Sequence, residues 1–283
     1  ALAEPTVRWC AARSDLQTVM LVNGKPADSI PIEDRGFLYG DGVFRTLRLH
    51  AGKPANWPRH HRKLQHDCAA LGMTCPESEV LLDDVAQLSS PGDGVLKIIL
   101  TRGAGQRGYA PPADACQTRV VAIYPFPAPL SDPLDLHLCQ IRLSHQPRLA
   151  GVKHLNRLEN VLASAECQSA GKPEGLLQDE AGCVISGTRS NLFMVAEGKL
   201  LTPDLSSCGV AGVQRERVMD WAKMHAIPCE VTRLALEDVL AADGVFLVNS
   251  VFGICPVHRL GDKVYEQHRY GGALRPWLND AQT

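Results

Sequence analysis

The sequence has no excess of charge of either sign. Its 29 lysines and arginines face 31 aspartates and glutamates, which leaves a formal net charge of -2 at pH 7. Proteins that bind nucleic acid or anionic membranes use a positive surface field, so this composition supports neither partner. The short basic run from Arg59 to Lys63 is typical of a solvated helix face.

Long apolar runs and paired cysteines are also missing. No stretch approaches the roughly 20 apolar residues that cross a bilayer, so we expect no membrane partner. The ten cysteines never form a C-x-x-C pair, and no secretory leader is visible. This pattern predicts reduced thiols in a cytoplasmic protein, with neither a disulfide framework nor a zinc or other metal site.

What remains is the composition of an ordinary globular protein, with 283 residues and 45% hydrophobic side chains. That length suits two modest domains or one large one. The one proline-dense stretch is stiff and extended, as a linker would be. We therefore predict a leader or expression remnant over 1–19, a smaller α/β domain over 20–126, a linker over 127–133 and a larger domain over 134–283.

A glycine-rich loop, Arg102 to Tyr109, follows the apolar strand predicted over Val95–Thr101. Two prolines come next in place of a helix, so neither the phosphate-binding loop nor the dinucleotide fingerprint is met. The segment is better interpreted as a shaped loop that presents Arg107 and Tyr109.

Lys153 lies just before a predicted helix, among the polar residues His154, Asn156 and Arg157. Leu158, Val161, Leu162 and Ala165 then recur at helical spacing and form one apolar face. A lysine held in a pocket there can carry Schiff-base chemistry if its pKa is depressed. By itself the spacing is more typical of a solvated lysine in a polar connection.

A second candidate is the segment Gly209-Val210-Ala211-Gly212, which leads into a helix predicted from Val213 to about His225. The free N–H groups and the positive dipole end of that helix would form an anion site.

Several motifs now occur together and in one order along the chain. They are Asp34-Arg35-Gly36 with Tyr39 to Phe44, Thr101-Arg102-Gly103 with Arg107, Lys153 before a helix, Ser190 to Phe193, and Gly212-Val213 before a helix. Over roughly Met20 to Gly261 the chain resembles the fold-type IV pyridoxal-phosphate enzymes. The resemblance implies an α+β, two-domain architecture like that of D-amino-acid aminotransferase, and a homodimer with the active site near the domain interface.

The resemblance also implies roles for individual residues. Lys153 would be the catalytic residue and the covalent attachment point of pyridoxal 5'-phosphate. The cofactor phosphate would lie at the backbone of Val213 and Gln214, with the hydroxyl of Ser250. Arg157 would serve the cofactor's phenolic oxygen or a substrate carboxylate. Substrate would contact Arg107, with Tyr109, Asn249, Phe44 and Thr46 as further lining residues.

Two positions depart from the family pattern. Lys63 stands where the family usually has a phosphate-binding arginine, and it offers a point charge in place of a bidentate fork. Ser186 stands five residues before Asn191, where the family commonly has a glutamate that keeps the pyridine nitrogen protonated. A neutral hydroxyl there would serve an elimination better than a transamination.

The segments Lys153 to Glu159 and Arg102 to Tyr109 most resemble the family's aminodeoxychorismate lyases. The expected activity is conversion of 4-amino-4-deoxychorismate to 4-aminobenzoate and pyruvate, a step of folate biosynthesis. An aminotransferase for D-amino or branched-chain substrates is the alternative with the same fold. A non-catalytic cofactor-binding or regulatory protein is the alternative from another class.

Overall fold

The protein is described here by a computed structural model that covers residues 20–88, 92–130, 132–266 and 270–280. The predicted leader, 1–19, lies outside the described residues. Within them, no helix combines the length and hydrophobicity that crossing a bilayer requires.

Residues up to Tyr124 form an antiparallel sheet of six strands with three helices. The strands are β1 Met20–Val22, β2 Lys25–Pro26, β3 Gly42–His50, β4 Lys53–Pro54, β5 Gly94–Thr101 and β6 Thr118–Tyr124, in the order β2-β1-β6-β5-β3-β4. The helices are α1 Arg35–Tyr39, α2 Trp57–Ala70 and α3 Ser78–Leu88.

Strand β3 shows how this sheet positions a site. Val43 and Leu47 are fully buried in a cluster with Leu64 of α2 and Leu81 of α3. The alternate side chains point to the other face of the pleat, where Phe44, Thr46 and Arg48 line a cavity.

Residues from Leu134 onward form a second sheet of nine strands. The strands are β7 Leu134–Leu143, β8 Glu174–Asp179, β9 Val184–Gly187, β10 Asn191–Ala196, β11 Lys199–Pro203, β12 Cys229–Thr232, β13 Gly244–Asn249, β14 Gly253–Leu260 and β15 Lys263–Val264. Their order is β12-β11-β10-β13-β14-β7-β8-β9, with β15 beside β14. The helices are α4 Leu158–Ser169, α5 Val213–Met224, α6 Leu236–Ala241 and α7 Gly271–Asn279.

The second sheet curls toward closure. A bridge between Val184 and Leu234 joins β9, at one end of the strand order, to the residues that follow β12 at the other. Its central strands are buried on both faces. One face packs around Leu192 and Leu247, and the other packs around Phe193 and Phe246 against α5 and α7.

The chain between β7 and α4 connects the two sheets. Phe44 N donates to Lys153 O at 3.0 Å, and Leu155 N donates to Gly42 O at 2.9 Å, so this segment runs beside the start of β3. Gly151 exchanges backbone bonds with Gly209 and Ala211, at 3.0 and 3.1 Å, just before α5. Residues 151–155, which we call the lysine segment, therefore fix the position of Lys153 relative to both sheets.

Local predictions have mixed outcomes. Asn23 and Gly24 both have positive φ, 51° and 77°, as an Asn-Gly hairpin turn requires. The loop after β5 is confirmed as a shaped loop without a following helix, because Arg35 donates to the carbonyls of Gly108, Tyr109 and Ala110. The helix after Lys153 is confirmed as α4.

The apolar face of α4 does not point into this chain's core. Leu158 is 70% exposed, and Val161, Leu162 and Ala165 are exposed as well. The helix instead packs through Ala163 and Cys167 against β7 and β8. Helical period alone does not say which of two apolar strips meets the core.

Candidate active site

A cavity of about 1810 Å³ opens between the two sheets. Its wall is drawn from β3, the lysine segment, the turn between β9 and β10, the chain leading into α5, and the residues after β13. The lysine segment brings these elements together, because it is bonded to both sides of the cavity.

Lys153 lies in this wall in a fixed orientation. Its backbone N donates to Asp67 Oδ2 at 3.1 Å, and its Nζ lies 4.4 Å from the centre of the Phe44 ring. Burial, followed by the positive charges of Arg45 and Arg157, lowers the pKa of Lys153 to about 7. A large fraction of the amine is therefore neutral near pH 7, as a nucleophile or a base must be.

Arg157 closes the turn around Lys153. Its Nε donates to His154 O at 2.9 Å and its Nη2 donates to Val152 O at 3.1 Å, so it holds the carbonyls on both sides of the lysine. Burial lowers the pKa of Arg157 to about 10. The residue also lies in the cavity wall.

The start of α5 faces the same cavity. Its N-cap, Gly212, supplies no side-chain cap, and the backbone N of Gly212 is held by Asn191 Oδ1 at 3.1 Å. A Cβ on Gly212 would stand 2.4 Å from that oxygen, so a larger residue here would require the Asn191 side chain to shift. Val213, Gln214 and Ser250, the predicted phosphate residues, all line the cavity.

Arg45 and His60 also lie in the wall, and the sequence analysis missed both. Arg45 is almost fully buried, pairs with Asp67, and donates to Lys63 O at 3.1 Å. Its Nε and the Nδ1 of His60 find no partner among the described residues. Burial, followed by the charge of Arg45, lowers the pKa of His60 to about 3, so this ring is neutral.

Lys63, predicted for the phosphate, is not among the described residues that line the cavity, and its carbonyl accepts from Arg45. Burial lowers the pKa of the Lys63 ammonium. The cation nearest to the expected role is Arg45, which comes from a strand and not from α2. No local pattern marked it, because Arg45 shares the core-facing side of β3 with Val43 and Leu47.

The remaining predicted residues divide into two groups. Ser186, Phe44, Thr46 and Asn249 line the cavity. Arg107 and Tyr109 do not; Arg107 is exposed and Tyr109 is 85% exposed, with its ring 5.4 Å from that of Tyr39. In this single chain their loop is shaped but does not reach Lys153.

Further cations line the cavity that sequence reasoning did not single out. Arg48 is fixed by a 2.6 Å bond from its Nε to Val251 O. Lys97 lies 5.6 Å from the centre of the Phe44 ring, and Arg189 follows β9. With Arg45 and Arg157 they make the wall strongly positive, which suits a ligand with several anionic groups.

These residues fit a phosphorylated aldehyde such as pyridoxal phosphate. Lys153 supplies an amine, α5 supplies an uncapped N-terminus, and Ser250 supplies a hydroxyl. The partnerless Nε of Arg45 and Nδ1 of His60 are buried polar atoms beside this group. The donors required by the aldehyde and the phosphate are thus all present in one wall.

Comparison with known proteins agrees with this geometry. Residues 42–260 match the amino-transferase class IV family. The chain is similar to the solved 4-amino-4-deoxychorismate lyase from Pseudomonas aeruginosa, at 41% identity and a TM-score of 0.88, covering 93% of this chain and 98% of that one.

Two curated proteins illustrate the range of the family. An aminodeoxychorismate lyase of Vibrio harveyi is 35% identical over 242 residues, which are 83% of this chain and 89% of that protein. A D-alanine aminotransferase of Bacillus licheniformis is 25% identical over 274 residues, 93% of this chain and 94% of that protein.

Proposed function

The chain belongs to the amino-transferase class IV family, and on that premise we propose that it is a pyridoxal-phosphate-dependent lyase acting on 4-amino-4-deoxychorismate. The products are 4-aminobenzoate and pyruvate, a reaction of folate biosynthesis. The carrying observation is Lys153, an amine with a pKa of about 7 in a cavity lined with cations.

The reaction needs one proton to move and one carbon–oxygen bond to break. A proton leaves the ring carbon that bears nitrogen, the enolpyruvyl oxygen leaves the neighbouring carbon, and the ring becomes aromatic. The atoms of the substrate are shared between the two products, so no keto acid is required as acceptor. A single base that later acts as an acid is sufficient.

Lys153 is that group in our proposal. Its neutral Nζ accepts the proton from the carbon, and the resulting ammonium can return a proton to the departing pyruvate enol. Pyridoxal phosphate, which Lys153 would hold between turnovers, would supply the electron sink for the carbon that loses the proton. Val213, Gln214 and Ser250 hold its phosphate, and Arg45 supplies a buried positive charge close by.

The substrate carries two carboxylates, and the wall offers several cations for them. Lys97 lines the cavity with its ammonium 5.6 Å from the centre of the Phe44 ring. Arg157 is committed in part to the lysine segment, and Arg189 is committed to Glu174 and the carbonyl of Pro173. We propose that Arg157 mainly positions Lys153, and that the substrate carboxylates are met by Lys97 and Arg107.

Ser186 favours the lyase over the aminotransferase. It is buried in β9 and lines the cavity, and it offers a hydroxyl where a carboxylate would hold a proton on the pyridine nitrogen. Transamination must store carbanion charge in that ring, whereas elimination passes the charge directly to the leaving oxygen. The weaker electron sink is thus sufficient for the lyase.

The second candidate is an aminotransferase, favoured by the similarity to D-alanine aminotransferase along most of the chain. Purified enzyme given 4-amino-4-deoxychorismate without any keto acid separates the two. A lyase releases 4-aminobenzoate and pyruvate in equal amounts, while an aminotransferase releases neither.

Lys153→Ala is the test of the assignment, with Lys172→Ala as control because Lys172 pairs with Asp135 at the surface. We expect Lys153→Ala to lose at least about 1,000-fold in turnover, since a positioned base alone contributes factors of this order. Undiminished turnover would refute the assignment. Colourless wild-type protein without a borohydride-trapped adduct on Lys153 would favour a non-catalytic relative.

We propose that the enzyme is a homodimer whose second copy covers the exposed face of α4. Leu158 and Val161 belong to both that face and the cavity rim, so a covering chain would also close the cavity. The loop held by Arg35 presents Arg107 and Tyr109 outward, where they can reach the cavity of the other copy.

Mixing two inactive variants tests this arrangement. Lys153→Ala subunits keep Arg107, and Arg107→Ala subunits keep Lys153. If Arg107 acts across the interface, random mixed dimers regain one intact site each and about a quarter of wild-type activity returns. If the mixture is shown to exchange subunits and no activity returns, Arg107 acts in the active site of its own chain or does not act in any active site.

We also propose a cytoplasmic location. The nine cysteines among the described residues are all free thiols. Such thiols persist in a reducing compartment.

A further inference from the structure

Three side chains of different chemistry meet outside the groups that we assign to catalysis. They are His145, which follows β7, Asp179, at the end of β8, and Cys208, in the chain that leads into α5. One atom from each, an imidazole nitrogen, a carboxylate oxygen and a sulfur, lies within 4.8 Å of the other two. His145 Nε2 and Asp179 Oδ2 are 2.8 Å apart.

The local chain fixes the carboxylate. Asp179 Oδ1 accepts backbone N–H groups of Ala181 at 3.1 Å and Cys183 at 2.8 Å, in the turn between β8 and β9. The other oxygen, Oδ2, is left to face His145. Asp179 is nearly fully buried, so its orientation is not set by solvent.

The thiol is fixed in a similar way. Cys208 is buried, and its neighbour Ser207 accepts a 2.9 Å bond from Gln146 N, next to His145. On its other side Gly209 O accepts from Gly151 N at 3.0 Å. The segments that carry the imidazole and the sulfur are therefore tied to each other by backbone bonds.

The second imidazole nitrogen also has a partner. His145 Nδ1 lies 3.3 Å from Glu180 Oε1. An Nδ1–H donated to that carboxylate leaves the lone pair of Nε2 directed at the cluster, which is the outer carboxylate arrangement found around zinc-bound histidines. His145 is exposed, so an ion can reach the cluster from solvent.

We propose that His145, Asp179 and Cys208 bind one Zn²⁺, with water in the fourth position and Glu180 orienting the imidazole. One sulfur, one nitrogen and one carboxylate oxygen form a donor set that zinc accepts in tetrahedral sites and that Mg²⁺ and Ca²⁺ do not favour. A thiolate and a carboxylate together neutralise the ion, and Cys208 releases its proton to solvent on binding.

The cluster needs only small movements to hold the ion. Tetrahedral zinc with bonds of about 2.0–2.3 Å places its ligand atoms roughly 3.3–3.8 Å apart. The imidazole and carboxylate must separate by about 0.5 Å, and the sulfur must approach by at most about 1.5 Å, changes that side-chain rotation supplies.

Occupancy would affect the neighbouring cavity. Cys208 and Gly209 line the cavity wall, and the same chain continues to Gly212 and α5. Zinc would cross-link this chain to the ends of β7 and β8. The inference stands apart from the proposed lyase activity, because its readout is metal binding.

Metal binding to chelator-treated holoenzyme tests the proposal. Zn²⁺ affinity is measured by competition with a chromogenic chelator, and sulfur ligation by the ultraviolet cadmium–thiolate absorption after Cd²⁺ addition. We expect one Zn²⁺ per chain. Glu180→Gln should weaken it about 10–100-fold, and Cys208→Ser and His145→Ala should weaken it further.

Matched controls separate this site from incidental binding. Cys116→Ser removes an exposed thiol. His258→Ala removes a histidine whose Nδ1 lies 2.9 Å from Asp135 Oδ1, a His–Asp pair that lies outside the proposed zinc cluster. Neither should change the affinity. Zinc held equally by wild type and Cys208→Ser, or cadmium absorption lost only with Cys116→Ser, would overturn the proposal. Glu180 is largely exposed, so its variant keeps the test valid if a buried variant fails to fold.

Discussion

Enzyme stripped of its cofactor offers Lys153 as a free amine, and the rate at which pyridoxal phosphate is captured reports its protonation. Only the neutral amine attacks an aldehyde. Burial, followed by the charges of Arg45 and Arg157, lowers the pKa of Lys153 from 10.5 to about 7. At pH 7 the neutral fraction is therefore about 1,000-fold or more above that of a solvated lysine.

The capture rate should rise with pH, with a midpoint near 7, and should flatten above pH 8. The sign follows from the direction of the shift: below pH 7 the ammonium predominates and cannot attack. Stopped-flow absorbance of the cofactor between pH 5.5 and 9.5 measures this directly. Lys153→Ala should show no covalent capture at any pH.

The cofactor phosphate itself titrates near pH 6, so a second ligand is needed as control. Pyridoxal lacks the phosphate, and a midpoint shared by both compounds belongs to the protein's amine. A capture rate that climbs steadily to pH 9.5 would mean that Lys153 is solvated and would refute the burial argument. Arg157→Gln should move the midpoint upward, because one neighbouring positive charge is removed.

Three further predictions follow from single contacts. Ser186→Glu should raise the rate of the transamination half-reaction with an amino acid, measured by cofactor absorbance, without raising lyase turnover. A strong gain in lyase turnover would contradict our account of the pyridine nitrogen. Gly212→Ala should weaken cofactor binding in a fluorescence titration and destabilise the fold by about 1–3 kcal/mol, because the new Cβ meets Asn191 Oδ1 at 2.4 Å. The control Gly272→Ala places its Cβ in open space and should bind the cofactor as wild type does. Arg157→Lys should lower kcat more than it raises KM, because one ammonium cannot hold both carbonyls beside Lys153; an unchanged kcat would argue against a positioning role.

Local chemistry could be predicted where one short segment carries it. Lys153 and the start of α5 were identified in this way, because a lysine before a helix and a glycine-rich chain into another helix are contiguous patterns. The structure places both in one cavity wall. They meet because Gly151 makes backbone hydrogen bonds to residues 209 and 211, and no local sequence pattern predicts those bonds.

What could not be predicted depends on contacts between distant segments. Arg45 alternates with Phe44 and Thr46 on β3, so the two-residue period of a strand predicts that its side chain points away from the cavity. Its guanidinium nevertheless reaches the cavity wall beside Asp67. The ligand cluster at His145 draws on three separate segments, and the absence of a C-x-x-C pair carried no information about it.

Both sheets are attached to the lysine segment, and this restricts how the enzyme can move. A clamshell opening of the two sheets would have to break the backbone bonds from Phe44 and Leu155 on one side, or those of Gly151 on the other. Each of these bonds lies beside Lys153, so such an opening would dismantle the reacting group's own support. The two sheets must therefore stay docked throughout each turnover, with Lys153 held between them.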